Sequence, residues 1–199
     1  IFAMSNLAAL LNYSATFAIS FLLSLYLQLI RGFDASTAGL FMLLQPLMMA
    51  LLSPRAGALS DRHEPRLVAS FGMTLTTLGI FWFSFLRADT PMLLVAANFV
   101  LVGIGFAFFS SPNSNAIMGA VEPRFYGVAS SVLSVMRIGG QSISMSVVTM
   151  LLAVYTVPHV SAGYLDSLLE AVQGIFFILA FVCLFGVGAS LMRGKRQDL

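Results

Sequence analysis

The sequence predicts an all-α membrane protein with six transmembrane helices, and three observations carry that expectation. The chain of 199 residues is 59% hydrophobic and 9% charged, with a mean hydropathy of +0.94, where soluble domains carry roughly 25% charged residues. Too little polar side chain remains to cover a water-facing globule. The charges cluster between apolar runs at residues 3–29, 36–58, 67–86, 92–117, 127–155 and 170–192, each near the ~20 residues a helix needs to cross a bilayer. The bases, finally, favour alternate connections, as loops on one side of a membrane do.

The first run carries no charge before Arg31, and Asn12, Thr16, Ser20 and Ser24 step along it by four with Tyr13 beside them. Serine and threonine can satisfy their hydroxyls on their own helix, whereas the Asn12 amide needs outside partners. The second run contributes Gln45 next to Pro46, and the third Ser70, Thr74 and Thr77. The fourth holds Asn98 and a polar end, Ser110-Ser111-Pro112-Asn113-Ser114-Asn115, where Pro112 is expected to kink or break the helix and free a carbonyl. The sixth is apolar apart from Gln173 at its start.

The fifth run is the most informative. Ser130, Ser134, Arg137, Gln141 and Ser144 recur at steps of 4, 3, 4 and 3, which at about 100° per residue puts all five on one helix face. Lipid does not host an arginine in mid-helix, so this seam faces a water-filled cavity or a tight helix interface. Five polar groups with one cation fit the cavity better. Runs one, two, four and five thus hold the isolated amides and the charge, while three and six read as lipid-facing. Two three-helix units, each placing two helices inward, would produce that pattern, as in transporters built from inverted repeats.

Several function classes are excluded. A formal charge of +2 is too small to imply nucleic acid. The single cysteine, Cys183, forms no intrachain disulfide and reads as a small hydrophobe in an apolar run. His63 and His159 fall in separate connections without ligand spacing, so neither a metal nor another cofactor is expected. Connections of this length hold no soluble active site, and no histidine or acid pair lies mid-span to serve an intramembrane hydrolase. An enzyme is not expected.

Even span number puts both ends on one side. Arg55, Arg62, Arg66, Arg124, Arg193, Lys195 and Arg196 gather on that side, against Arg31 and Arg87 opposite. Positive-inside topology then makes both ends of the chain cytoplasmic, in a plasma (inner) membrane. No basic leader precedes the first apolar run, and we expect a fragment of a longer polypeptide.

Residues 57–66 read Gly57-Ala58-Leu59-Ser60-Asp61-Arg62-His63-Glu64-Pro65-Arg66. This resembles the loop motif of the major facilitator superfamily, G-x-L-x-D-R-x-G-R-[KR], with Gly57, Leu59, Asp61, Arg62 and Arg66 matching. Glu64 and Pro65 depart from it. Tyr26-Leu27-Gln28, Gly32, Ala38-Gly39-Leu40 and Pro46 are similar to the first hairpin of the C-terminal half in the fourteen-span drug:proton antiporter branch. Pro112 to Gly119, Gly127 to Ser130 and Arg137 to Gly140 are similar to its last cytoplasmic loop and the helix that follows. The resemblance implies one half of a major-facilitator fold: a six-helix domain over residues 1–199 whose N-terminal half lies elsewhere in the same polypeptide.

It further implies a secondary transporter in the lipid bilayer, exporting small amphipathic or cationic drugs against protons by alternating access. Asn12, Thr16, Gln45, Asn98, Asn113, Ser134, Arg137 and Gln141 would face the substrate cavity. Gly57, Asp61, Arg62 and Arg66 would form a cytoplasmic gate. The alternatives are a related carrier of a sugar, metabolite or siderophore, to which Arg137 would suit an anion, and a truncated six-span module that does not transport.

Overall fold

The computed structural model describes residues 1–156 and 163–192, so His159, Arg193, Lys195 and Arg196 lie outside the described residues. Seven α-helices make six spans: α1 (Phe2–Leu25), α2 (Ala35–Met42), α3 (Leu44–Arg62), α4 (Pro65–Phe83), α5 (Met92–Met118), α6 (Tyr126–Thr156) and α7 (Tyr164–Met192). All six spans are long and apolar enough to cross a membrane.

The uncharged first run propagates as α1 and widens into a π-turn at Tyr26–Ile30. Gly32 ends it at φ +70°, a left-handed conformation that a Cβ would disfavour. Asp34 then caps α2, its carboxylate accepting from the Ser36 and Thr37 amides at 3.0 and 3.2 Å and from the Thr37 hydroxyl at 2.6 Å. Those three donors, the Thr37 hydroxyl foremost, hold the Asp34 pKa below its ordinary 3.8. The cap is therefore complete above the ordinary value and is lost as pH falls through the depressed one.

Proline explains the break between α2 and α3. Pro46 has no N–H to offer the Met42 carbonyl, and the helix is interrupted at Leu43 before resuming one residue later. Pro112 behaves differently. The sequence predicts a kink or break there, but α5 runs uninterrupted from Met92 to Met118. Flanking contacts with α1 and α4 hold the backbone in register where one hydrogen bond is missing.

Helix ends also differ from expectation. Residues 57–66 were expected to form a loop, yet α3 continues to Arg62 and α4 starts at Pro65, leaving His63 and Glu64 as the turn. Nothing before His63 breaks a helix, whereas Pro65 keeps Glu64 out of the α region and is itself well suited to a first helical position. Likewise α7 starts at Tyr164 rather than 170, because Asp166 in its first turn complements the helix dipole.

Packing follows a single order, α3–α5–α4–α7–α1–α6. Exchanging spans one to three with spans four to six reverses this order onto itself. The two units are therefore related by a pseudo-twofold, and with three spans each they run in opposite directions. Glycines permit the closest crossings. A Cβ on Gly72 would lie 2.4 Å from the Phe108 carbonyl carbon, and one on Gly105 2.5 Å from Thr76 Oγ1, so α4 and α5 touch backbone to backbone. Gly140 lets α6 approach the Leu10 carbonyl of α1, and Gly103 lets α5 approach the Gln45 carbonyl of α3.

At the centre of the order, α4 and α7 meet through the Ser70 hydroxyl, which donates to Ser190 at 2.8 Å. These third and sixth spans were expected to face lipid. Each does so along one flank only, with Phe71 and Leu78 on α4 and Phe181 and Phe185 on α7 exposed. The opposite flank builds the core: 56% of the α4 window is buried, against 6% of the span formed by α2 and α3. At the end where α1 finishes, Tyr26 Oη donates to the Arg87 carbonyl at 2.7 Å, and Arg31 and Gln173 donate to the carbonyls of Ala88 and Leu86. The α4–α5 connection is thereby tied to both neighbouring helices.

Candidate functional site

One polar concavity opens between the two units, a cavity of about 240 Å³ formed by α1, α3, α5 and α6. From α1 come Tyr13, Thr16, Phe17 and Ser20; from α3, Gln45 and Met49; from α5, Phe106; from α6, Arg137 and Gln141. Arg137 is eleven residues from the start of α6 at Tyr126, or about 16 Å along the axis, half the ~30 Å of a bilayer core. It is exposed and makes no ion pair among the described residues. Its guanidinium carbon lies 5.2 Å from the centroid of the Tyr13 ring, a cation–π contact. Tyr13 is held in turn by the edge of Phe106, with centroids 5.5 Å apart at 74°.

No acidic side chain lines this cavity. Its chemistry is one fixed cation, two primary amides, three hydroxyls and three aromatic rings. The Thr16 hydroxyl donates to the Asn12 carbonyl at 2.8 Å, leaving its oxygen to accept.

Of the eight residues expected to face a cavity, the structure brings four together: Thr16, Gln45, Arg137 and Gln141. Four lie elsewhere. Ser134 is exposed one turn below Arg137 and donates to the Ser130 carbonyl. Asn98 is buried and donates to the Gly79 carbonyl at 2.9 Å, fastening α5 to α4. Asn113 is buried and donates to the Ser5 carbonyl at 3.1 Å, fastening α5 to α1. Asn12 is fully buried, with neither Nδ2 nor Oδ1 hydrogen-bonded among the described residues. A buried amide is costly without a partner, and for Asn98 and Asn113 the carbonyl that supplies one is across a helix interface.

Tyr13, Phe17, Phe106 and Met49 were not expected in the site. A signal for the first existed: Tyr13, Thr16 and Ser20 step by three and four on α1, and that line, rather than the steps of four through Asn12, faces Arg137.

A second cavity, of about 330 Å³, lies where α3 ends and α4 begins. Asp61 and Arg66 line it with Ser60, Glu64, Asn115 and Gly119. Asn115 Nδ2 donates to Ser60 Oγ at 3.0 Å and reaches Asp61 Oδ1 at 3.5 Å. Arg66 pairs with Glu64 at 2.9 Å. Gly57 lets α5 come close, since a Cβ there would lie 2.9 Å from Ser111 Oγ. Arg62 and Asp61 are exposed on the last turn of α3, and Asp61 makes no ion pair among the described residues. No group of His, Cys, Asp or Glu among the described residues is placed to hold a metal ion.

Six membrane-length helices in two inverted units surround a polar, open-sided concavity, an organisation found in transporters built from inverted repeats. The profile of the Major Facilitator Superfamily matches residues 6–198, and the chain belongs to that family. It is 33% identical to the riboflavin transporter RibZ of Clostridioides difficile over 136 residues, 68% of this chain and 30% of that protein. Over 144 residues it is 28% identical to the cephamycin export protein CmcT of Amycolatopsis lactamdurans, covering 71% and 30%. With the tetracenomycin C resistance and export protein of Streptomyces glaucescens it shares 30% identity over 134 residues, 67% and 25%. The chain thus spans about a third of the length of the relatives it matches.

Proposed function

We propose that the chain is the C-terminal half of a proton-coupled exporter of the fourteen-span type, seated in the plasma (inner) membrane with both ends of this segment cytoplasmic. The observation that carries this reading is Arg137 near the middle of a membrane-length helix, in a concavity open on one side. A lone cation there needs a water-filled path or a second protein surface, and the remaining polypeptide would supply both. The cavity is also below the ~300–1,000 Å³ of sites for drug-sized ligands, as half a site would be. Several relatives are named for export of, or resistance to, antibiotics, which supports outward transport. In this reading Thr16, Gln45, Arg137 and Gln141 contact the solute.

The second reading, a metabolite carrier, is favoured by the riboflavin transporter among the relatives and by the basic cavity. Inside-out vesicles holding the full-length protein test both. They are expected to accumulate an exported antibiotic of the cephamycin or tetracenomycin type and to lose it on addition of a protonophore. Accumulation of riboflavin alone would favour the metabolite carrier, and accumulation indifferent to the protonophore would remove proton coupling.

Asp61, Arg62, Gly57 and Arg66 are proposed to work the cytoplasmic gate. The exposed Asp61 carboxylate is free to meet a helix N-terminus of the other half, a contact of roughly 1 kcal/mol. Asp61→Asn is expected to slow transport about two- to fivefold while leaving solute affinity near wild type in equilibrium binding. Loss of affinity at an unchanged transport rate would overturn the gate role.

A further inference from the structure

The resemblance implies export of amphipathic or cationic drugs, yet the cavity described above is built for an anion. Its one ionised group is Arg137, and no acid stands among the lining residues to receive a cationic solute. Along the described helices the acids sit at or beyond the ends: Asp34, Asp61, Glu64, Asp89, Glu122, Asp166 and Glu170. Next to the cation are flat apolar surfaces, Tyr13, Phe17 and Phe106, with Met49 on the opposite wall. Gln45 and Gln141 add amide donors and acceptors at the same level.

We propose that this cavity selects a planar aromatic solute bearing a carboxylate, which Arg137 grips. The proposal rests on the transporter reading and names the substrate class for its site. In the empty site the guanidinium rests on the Tyr13 face. An arriving anion offers two oxygens to its planar fork, a charge-assisted pair stronger than the ring contact it replaces. Release from Arg137 frees the Tyr13 face, and the aromatic body of the solute stacks there and against Phe106. Cation and ring thus exchange partners. A cationic solute gains the rings but meets Arg137 as a like charge.

Two probes with one ring system and opposite charges separate the terms: anthracene carboxylate and aminomethyl anthracene, their binding followed by fluorescence on the purified full-length protein. The carboxylate is expected to bind about tenfold more tightly than the amine, the scale of one charge-assisted hydrogen bond. Arg137→Gln is expected to bring that ratio close to one and Arg137→Glu to invert it, with Arg137→Lys retaining the sign. Tyr13→Leu is expected to weaken both probes together.

A wild-type preference for the amine, or a preference unchanged in Arg137→Gln, overturns the proposal and leaves the transporter reading standing. The second result would mean that a cation other than Arg137 sets the preference. If neither probe binds and transport assays are also silent, the cavity is not a solute site, and the reading beneath the proposal fails with it.

Discussion

Efflux by the full-length protein is expected to fall ten- to hundredfold when Arg137 is replaced by alanine, while its level in the membrane stays near wild type. The loss follows from removing the one cation of the cavity, where a charge-assisted hydrogen bond to solute contributes about 1.5–3 kcal/mol. The membrane level is spared because Arg137 ties α6 to α1 only through one weak ring contact. It makes no ion pair among the described residues, and its recorded contact is the Tyr13 ring, worth about 0.5–1 kcal/mol at an open site. Transport measured per molecule, with membrane content from immunoblots, checks both halves of the statement. Unchanged efflux would remove Arg137 from the site.

The opposite signature is expected for Gly72→Ala. Its new methyl would fall 2.4 Å from the Phe108 carbonyl carbon, 2.5 Å from the Phe109 nitrogen and 2.6 Å from the Gly105 oxygen. All three are backbone atoms, so no side-chain rotation relieves the overlap and α4 must separate from α5. Overpacking costs about 1–3 kcal/mol where side chains can yield; here we expect about 3 kcal/mol or more. Gly105→Ala strains the same crossing, so the double variant should cost less than the sum of the two. Gly188→Ala is the control, because nothing lies within 4 Å of its added carbon, and alanine there should be neutral or stabilising by up to about 1 kcal/mol. Thermal unfolding of the detergent-solubilised full-length protein ranks the set, and a Gly72→Ala midpoint equal to that of Gly188→Ala would contradict the crossing.

Apolar run length was enough to place the six spans, because a bilayer accepts few other solutions. It was not enough to end them. Asp61 and Arg62 are polar, which reads as loop, yet a helix leaving the membrane keeps its backbone bonds and continues in water until His63. The site was half legible for a related reason. Arg137 and Gln141 could be assigned to one face because a helix repeats every 3.6 residues, and a charge in lipid has few places to go. Asn98 and Asn113 are equally polar but satisfy one carbonyl each across an interface, and which interface depends on helix rotation, which a sequence does not encode locally. Tyr13 was seen beside the polar residues of the first run but not placed in the site, because its role is the face of its ring rather than its hydroxyl. The small residues at Gly72 and Gly105 were also unread, since only a neighbouring helix reveals what a missing Cβ makes room for.

An arginine at the middle of a helix resists partitioning from the translocon into lipid, by about 2.5–3.5 kcal/mol on insertion scales. Here α1 is synthesised before α6, and the two helices pack directly. When α6 emerges, Tyr13 is therefore already in the bilayer, presenting an aromatic face at the depth where Arg137 must settle. Gly140, three residues further along α6, lets the two backbones close to the Leu10 carbonyl. The order of synthesis thus makes an aromatic face and a close backbone approach available on α1 before the one span that carries a mid-helix arginine is made.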